Sequence, residues 1–169
     1  MTKLSTFSIV GYDDYTDELG VAVQSKFLAS GAVVPWAKAN VGAIATQSAA
    51  NTTYGPRGLE LLNQGKSPER VIGTLISDDE EKAIRQVGLV NANGQSAAFT
   101  GDEGMEFAGH RFGKDFACQG NILVSEETIE QMVEEFKATK DQPLPERLVA
   151  SCLPASAARM VYSACSPLG

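Results

Sequence analysis

Strand-like and helix-like segments occupy separate blocks of this chain, and their order constrains the fold more than any other feature. Strand patterns fill residues 4–26 and 41–48, helical patterns fill 56–76, strands return at 84–100, and helices follow residue 125. Single helices alternating with strands would instead predict parallel βαβ units. The blocks therefore predict an α+β domain in which helices cover antiparallel sheets.

Two hairpins are predicted within the strand blocks. Asn93-Gly94 separates the segments Ile84–Asn91 and Gln95–Thr100, and Asn-Gly is the strongest short hairpin signal. Near the start, the polar turn Asp13–Glu18 separates two alternating segments. Among the helices, Ser125 is expected to cap a long amphipathic one, and a short helix is expected around residues 146–151.

Size and charge exclude several classes of protein. The chain has 169 residues, which suits one domain, and its 14 basic and 21 acidic residues give a net charge of −7. That charge repels nucleic acid and anionic lipid. No apolar run approaches the roughly 18 residues of a membrane span, and the first residues do not form a signal peptide pattern. We therefore expect a cytoplasmic protein without nucleic-acid or membrane partners.

Metal and disulfide chemistry are not indicated. Cys118, Cys152 and Cys165 are odd in number and widely spaced, which matches neither a disulfide framework nor a zinc site. His110 is the single histidine, so a histidine-rich metal centre is not expected. The sequence leaves open only a carboxylate site for Mg²⁺ or Ca²⁺, and we expect no metal and no cofactor.

Several different short motifs occur along the chain in a characteristic order and spacing. They are Thr6–Val10, Leu19–Lys26, Gly31–Ala37, Ala45–Ser48, Tyr54–Leu62, Arg85–Gly88, Phe99–Gly101, Ala108–His110 and Gln119–Leu123. As a set, they resemble the bacterial family called domain of unknown function 1028, over residues 5–150. That family is grouped with the N-terminal-nucleophile (Ntn) hydrolases. The resemblance therefore implies a four-layer αββα sandwich with two antiparallel sheets.

The resemblance also implies a nucleophile, at Thr6. Ntn chemistry uses a Thr, Ser or Cys as the first residue of the first strand, and its free α-amine, with a pKa of about 8, serves as the base. Five residues precede Thr6 in this chain, so its nitrogen is a non-basic amide until they are removed. At the other end, Ser151–Gly169 does not match the final strand usual in the family. We expect a domain over 1–150, a divergent tail over 151–169, an incomplete C-terminal part of the sheet, and a homodimer that covers it.

Nine polar residues are candidates for a site. The catalytic candidates are Thr6, Lys26 and His110, and the substrate-binding candidates are Gln24, Ser25, Gln47, Asn51, Gln119 and Asn121. Gln24 stands where proteasome β-subunits carry an acidic residue, and a neutral amide cannot orient a catalytic lysine in the same way. Amides can orient a substrate or stabilise an oxyanion, but they also form turns and caps.

Three functions remain open from the sequence. The first is an Ntn-type amidohydrolase that acts on a small amide or peptide-like substrate after trimming to Thr6. The second is a non-catalytic domain on the same fold that binds a small ligand or a cell-wall fragment. The third is a hydrolase built on His110, which requires a hydroxyl oxygen within roughly 2.6–3.2 Å of the imidazole ring.

Overall fold

Strands and helices alternate in blocks along the chain, as the computed structural model shows for residues 5–104 and 107–164, with side chains described up to residue 155. The strands in these residues are β1 Thr6–Asp13, β2 Glu18–Ser25, β3 Pro35–Lys38, β4 Gly42–Ser48, β5 Arg85–Asn91, β6 Ser96–Thr100, β7 Gly109–Gly113 and β8 Phe116–Asn121. The helices are α1 Ser30–Val33, α2 Tyr54–Asn63, α3 Pro68–Ser77, α4 Glu127–Ala138 and α5 Leu144–Ala164. A 3₁₀ turn, Lys82–Ile84, precedes β5.

The strands form two antiparallel four-stranded sheets. The first has the order β2-β1-β8-β7, and the second has the order β3-β4-β5-β6. Strand β1 is therefore internal in the first sheet, where Thr6 pairs with Ser25 on one side and with Asn121 on the other. The first residue of β1 consequently lies among the ends of three strands.

The alternation of β1 decides which side chains face the helices. Phe7 and Ile9 are fully buried and pack with apolar side chains of α4 and α5. Val10 points to the opposite face, where it packs with Ala43 and Ala45 of the second sheet. Period-two alternation in a strand buried on both faces thus gives one face to the helices and the other to the second sheet.

The second sheet is covered by the other helix pair. Ile44 of β4 and Leu89 of β5 pack with Leu59 of α2 and Leu75 of α3. Both sheets are antiparallel and both carry helices, which agrees with the predicted α+β class.

Both predicted hairpins are confirmed. β1 pairs with β2, and β5 pairs with β6 around Gly94, whose φ of +73° is the left-handed conformation that glycine tolerates. The predicted short helix at residues 146–151 lies inside the 21-residue α5, so the predicted domain boundary at residue 150 falls within a helix. Pro145 is tolerated in its first turn, and Pro154 is accommodated in its interior.

The two cysteines that the structure describes are both free thiols. Cys118 and Cys152 are free and buried, and burial raises the pKa of both thiols, which keeps them protonated. Cys165 lies outside the described residues. No described helix combines the length and apolar character needed to cross a bilayer. No three described His, Cys, Asp or Glu side chains lie close enough to hold a metal ion.

Candidate functional site

Thr6 begins β1 with its hydroxyl at the edge of the space between the sheets. Its Oγ1 lies 2.7 Å from Oγ of Ser25, the residue opposite it on β2. Ser5, immediately before it, is buried, and its carbonyl oxygen accepts hydrogen bonds from Ser25 Oγ at 3.3 Å and from the Lys26 backbone N–H at 3.4 Å. The peptide that precedes Thr6 is therefore held in place by the end of β2.

A cavity of about 320 Å³ opens beside this hydroxyl, and we call it the Thr6 cavity. Its lining comes from the ends of β1, β2 and β4 and from α1 and the loop before it: Thr6, Ser25, Phe27, Ser30, Val33, Val34, Gln47, Ser48 and Ala50. Hydroxyl and amide groups make one part of the wall and hydrocarbon groups the other. None of these lining residues is charged, and the volume suits a small molecule.

Two strained residues lie at neighbouring strand ends. Ser48, in the cavity wall directly after Gln47, has φ +67°, and Ile122, directly after Asn121, has φ +53°. Left-handed backbone is uncommon outside glycine and is a clear outlier for a β-branched residue. Such conformations persist only where surrounding structure enforces them, and they concentrate at functional sites.

A polar seam joins the two sheets behind the Thr6 cavity. It consists of Ser8 and the side-chain amides of Gln47, Gln86, Gln119 and Asn121, all of them at most 3% exposed. Gln119 Nε2 donates to Ser8 Oγ at 2.6 Å, and Ser8 Oγ donates to Gln47 Oε1 at 2.7 Å. Gln86 Oε1 then accepts from Gln47 Nε2 at 2.8 Å and from Asn121 Nδ2 at 3.1 Å.

Hydrogen bonds within the polar seam hold the Gln47 side chain in place in the wall of the Thr6 cavity. Its Nε2 group donates to Gln86 Oε1 and to the Gln119 carbonyl oxygen, so both amide hydrogens are already used. Gln47 therefore presents a rigid surface to a ligand and has no free N–H to stabilise an oxyanion.

His110 belongs to a different opening, which we call the His110 cleft. The cleft has a volume of about 940 Å³ and is lined by Thr100, Gly101, Asp102, Gly104, Phe107, Ala108, Gly109, His110, Arg111, Leu123, Val124 and Glu126. The His110 Nδ1 atom lies 2.9 Å from Thr100 Oγ1. Burial, together with the charge of Arg111, lowers the pKa of His110, which favours the neutral imidazole.

The structure brings five of the predicted site residues together. Thr6, Ser25 and Gln47 line the Thr6 cavity, and Gln119 and Asn121 lie behind it in the polar seam. All five residues lie at the same end of the two sheets, close to the ends of strands β1, β2, β4 and β8.

The other four predicted residues lie elsewhere. Gln24 and Lys26 are exposed, and neither lines the Thr6 cavity. Asn51 Oδ1 accepts the Thr53 N–H and its Nδ2 donates to Asp79, so Asn51 stabilises the turn before α2. His110 lines its own cleft, so the three catalytic candidates do not converge.

Sequence reasoning missed several members of these sites. Ser8 could have been found, because it shares a strand face with Thr6 at a spacing of two. Gln86 occurs among the apolar residues of β5, and a buried polar residue there is itself a signal. No local sequence pattern marked Thr100 as a site residue, because its hydrogen-bond partner His110 lies on a strand of the other sheet.

Comparison with known proteins supports the family resemblance. A crystal structure of a DUF1028 protein from Silicibacter pomeroyi superposes with a TM-score of 0.87 and 32% sequence identity, covering 91% of this chain and 71% of that one. No protein of curated function matches the chain. The model of the family described as a family of unknown function, DUF1028, matches residues 6–159. The chain therefore belongs to the DUF1028 family.

Proposed function

We propose that this chain is an Ntn-type amidohydrolase whose nucleophile is Thr6, exposed when residues 1–5 are removed. One observation carries the proposal: Thr6 is the first residue of an internal strand, and its hydroxyl lines a cavity between the ends of both sheets. An N-terminal nucleophile needs a hydroxyl that opens into a cavity, because that hydroxyl attacks the substrate carbonyl while the α-amine of the same residue takes up its proton.

The packing of the layers supports the same proposal. One helix pair packs with the first sheet, the other pair packs with the second sheet, and a third apolar cluster lies between the sheets. This arrangement is what a four-layer αββα sandwich of the Ntn type requires.

Ser25 provides a route for the proton of the nucleophile. Its Oγ donates to the Ser5 carbonyl oxygen, so Thr6 Oγ1 donates its own hydrogen to Ser25 Oγ. Once Ser5 is removed, Ser25 Oγ and the Lys26 backbone N–H both lose the carbonyl oxygen to which they donate, and Ser25 Oγ remains the partner of the Thr6 hydroxyl. Removing residues 1–5 would thus supply the α-amine of Thr6 as the base and would free two hydrogen-bond donors, Ser25 Oγ and the Lys26 N–H.

The cavity wall indicates the substrate. Phe27, Val33 and Val34 offer apolar surface, and the opposite wall offers hydroxyl groups. A small, uncharged amide or peptide-like acyl group fits this lining better than a charged one, because burying an unpaired charge is costly.

The proposal is tested by comparing the full chain with a chain that begins at Thr6, produced by cleaving a removable fusion. Both are incubated with a β-lactone, a strained ester that acylates nucleophilic hydroxyls, and intact masses are measured. We expect an adduct on Thr6 only in the trimmed chain, lost in Thr6→Ala and retained in Thr6→Ser. A folded trimmed chain that is never acylated at Thr6 contradicts the proposal.

One observation favours a second candidate, a non-catalytic domain that binds a small ligand or cell-wall fragment. Ser5 is buried at 6% exposure and its carbonyl oxygen has two donors, so the untrimmed chain already has an ordered cavity wall. The test is thermal unfolding of the full chain with neutral amides and muropeptides. Stabilisation that increases with ligand concentration supports this candidate. If no compound raises the unfolding temperature of the full chain, it is rejected.

A further inference from the structure

The His110 cleft lies where the edge strands of the two sheets meet. Thr100 is the last residue of β6, the edge of the second sheet, and His110 is the second residue of β7, the edge of the first. The segment between them supplies Gly101, Asp102 and Gly104 to the cleft wall. Both Thr100 and His110 line the opening, so their side chains are accessible to a ligand of moderate size.

The hydrogen-bond partners of Thr100 limit where its proton can lie. Gln86 Nε2 is a donor and lies 3.0 Å from Thr100 Oγ1, so the hydroxyl oxygen accepts there. The only other partner of that hydroxyl in the described structure is His110 Nδ1, at 2.9 Å. In the tautomer of the neutral imidazole that carries its proton on Nε2, Nδ1 accepts, and Thr100 donates its proton to it. This is the arrangement of a nucleophile and its general base.

Both members of the pair are held in position by further contacts. Gln86 is 1% exposed, and its Nε2 also lies within 3.0 Å of the carbonyl oxygens of Gly109 and Gly120. The His110 ring stacks on Phe112, with the centroids 6.1 Å apart. A rigid donor therefore orients the hydroxyl, and an aromatic ring orients the base.

We propose that Thr100 and His110 form a second catalytic pair, which hydrolyses small carboxylic esters in the His110 cleft. The site is separate from the Thr6 cavity, and it requires no removal of residues 1–5. Phe107, Leu123 and Val124 give the cleft an apolar wall for an acyl chain. Arg111 is already paired with Glu126, so none of the described residues that line the cleft offers a free cation to select an acidic substrate.

The reaction consists of two balanced steps. Thr100 Oγ1 bonds to the acyl carbon while its proton moves to His110 Nδ1. The ester C–O bond then breaks, and the departing oxygen takes that proton and leaves as an alcohol. In the second step, water adds to the acyl carbon and gives its proton to His110. The bond to Thr100 breaks, Oγ1 recovers the proton, and a carboxylic acid is released.

The test uses the full chain with p-nitrophenyl acetate. Release of nitrophenolate is followed, and the acetylated residue is located by peptide mass mapping. We expect acetyl-Thr100, and a loss of rate of about 100-fold or more in Thr100→Ala and in His110→Gln. Thr100→Ser should retain activity, and Thr16→Ala, which alters an exposed threonine in the β1–β2 turn, should match the wild type. Acetylation on other residues only, or an unchanged rate in Thr100→Ala, overturns the proposal.

The single histidine gives a readout that does not depend on activity. Its imidazole ¹⁵N signals report the protonation of Nδ1 and Nε2 directly, and folding is checked in the same sample by the amide spectrum. We expect Nδ1 of the neutral ring to be unprotonated in the wild type. Among the described residues that line the cleft, the charged ones are Asp102, Arg111 and Glu126, and the ring itself contacts the neutral Thr100 and Phe112. A neutral ring protonated at Nδ1 would contradict the assignment of His110 as the base.

Discussion

At the scale of single residues, Gly88 shows how closely the two sheets approach. A Cβ at this position of β5 would lie 1.9 Å from Gln119 Oε1, and Gln119 is fully buried. We expect Gly88→Ala to lower the free energy of unfolding by about 1–3 kcal/mol, because Gln119 must move and lose its bond to Ser8.

Urea denaturation measures this effect, and Gly73→Ala is the matched control. Gly73 is an exposed residue in the middle of α3, with nothing within 4 Å of a Cβ. There alanine should raise the stability by about 0.5–1 kcal/mol, because it favours a helix over glycine. Equal effects at the two positions would show that Gly88 is not required for the close approach.

His110 should make stability depend on pH in a defined direction. Its pKa is lowered in the folded state by burial and by Arg111, so the unfolded chain binds the proton more readily. Its contribution is therefore present above the ordinary histidine pKa of about 6.5 and is lost as the pH falls below it.

We expect the wild type to lose more stability than His110→Gln between about pH 7.5 and 5.5. Denaturant unfolding at each pH measures the difference, and the carboxyl groups common to both proteins cancel in it. Identical pH dependence in the two proteins would mean that the imidazole titrates freely when the chain is folded.

The sequence predicted part of the candidate site for physical reasons. Ser25 could be placed opposite Thr6, because a hairpin fixes the register of its two strands. Gln47 and Gln119 were candidates by residue type alone, and their meeting requires the stacking of separate sheets. The pair of Thr100 and His110 likewise depends on tertiary structure, which no local pattern encodes.

At the scale of elements, Asp79 connects two helices to β5. It lies just after α3 and accepts hydrogen bonds from Asn51, from Tyr54 in the first turn of α2, and from Arg85 in β5. Burial alone would raise the pKa of Asp79, but these donors outweigh it and hold the pKa well below its ordinary value.

We expect Asp79→Asn to cost about 3 kcal/mol of unfolding free energy, because Arg85 loses a buried partner. The matched control is Asp78→Asn, whose ion pair with Arg57 is exposed and screened by solvent, so its loss should change the stability much less. Because the Asp79 pKa is depressed, its contribution should be present above about pH 4 and disappear in acid. Unfolding curves measured for both variants at two pH values test the prediction. A similar loss of unfolding free energy in Asp79→Asn and Asp78→Asn would show that Asp79 contributes no more to stability than an exposed carboxylate does.

The elements that the sequence predicted well are those with local signals. The β5–β6 hairpin carries its turn residues, and helices α2 to α4 carry an apolar stripe of regular period. The expected cap by Ser125 is wrong, because the N-cap of α4 is Glu126 and no side-chain cap hydrogen bond forms there. Helix α1 has four residues, which is too short for a repeating apolar stripe, so no local pattern marks it. The sequence did not predict the length of α5, because it contains Pro145 and Pro154, and a proline usually interrupts a helix.

At the scale of the whole molecule, the polar seam connects both sheets and both openings. Gln86 bonds to Gln47 on the side of the Thr6 cavity and to Thr100 on the side of the His110 cleft. We expect Gln86→Met, which keeps the size but not the amide, to destabilise the fold by about 3 kcal/mol, because several buried groups lose their partners.

Thermal and urea unfolding of Gln86→Met test this prediction, with Gln64→Met as the control. Gln64 is exposed at the end of α2 and bonds only to Glu60 by its side chain in the described structure. If Gln86→Met is as stable as the control, the seam contributes nothing to holding the sheets together.

The neutral lining of the Thr6 cavity has a consequence for measurements on this acidic protein. The chain carries a net charge of −7, yet the residues that line this cavity offer only hydroxyl, amide and hydrocarbon groups to a ligand. Mobile ions screen attraction between charges and have little effect on contacts between uncharged groups. A compound held there should therefore bind almost equally well at low and high ionic strength.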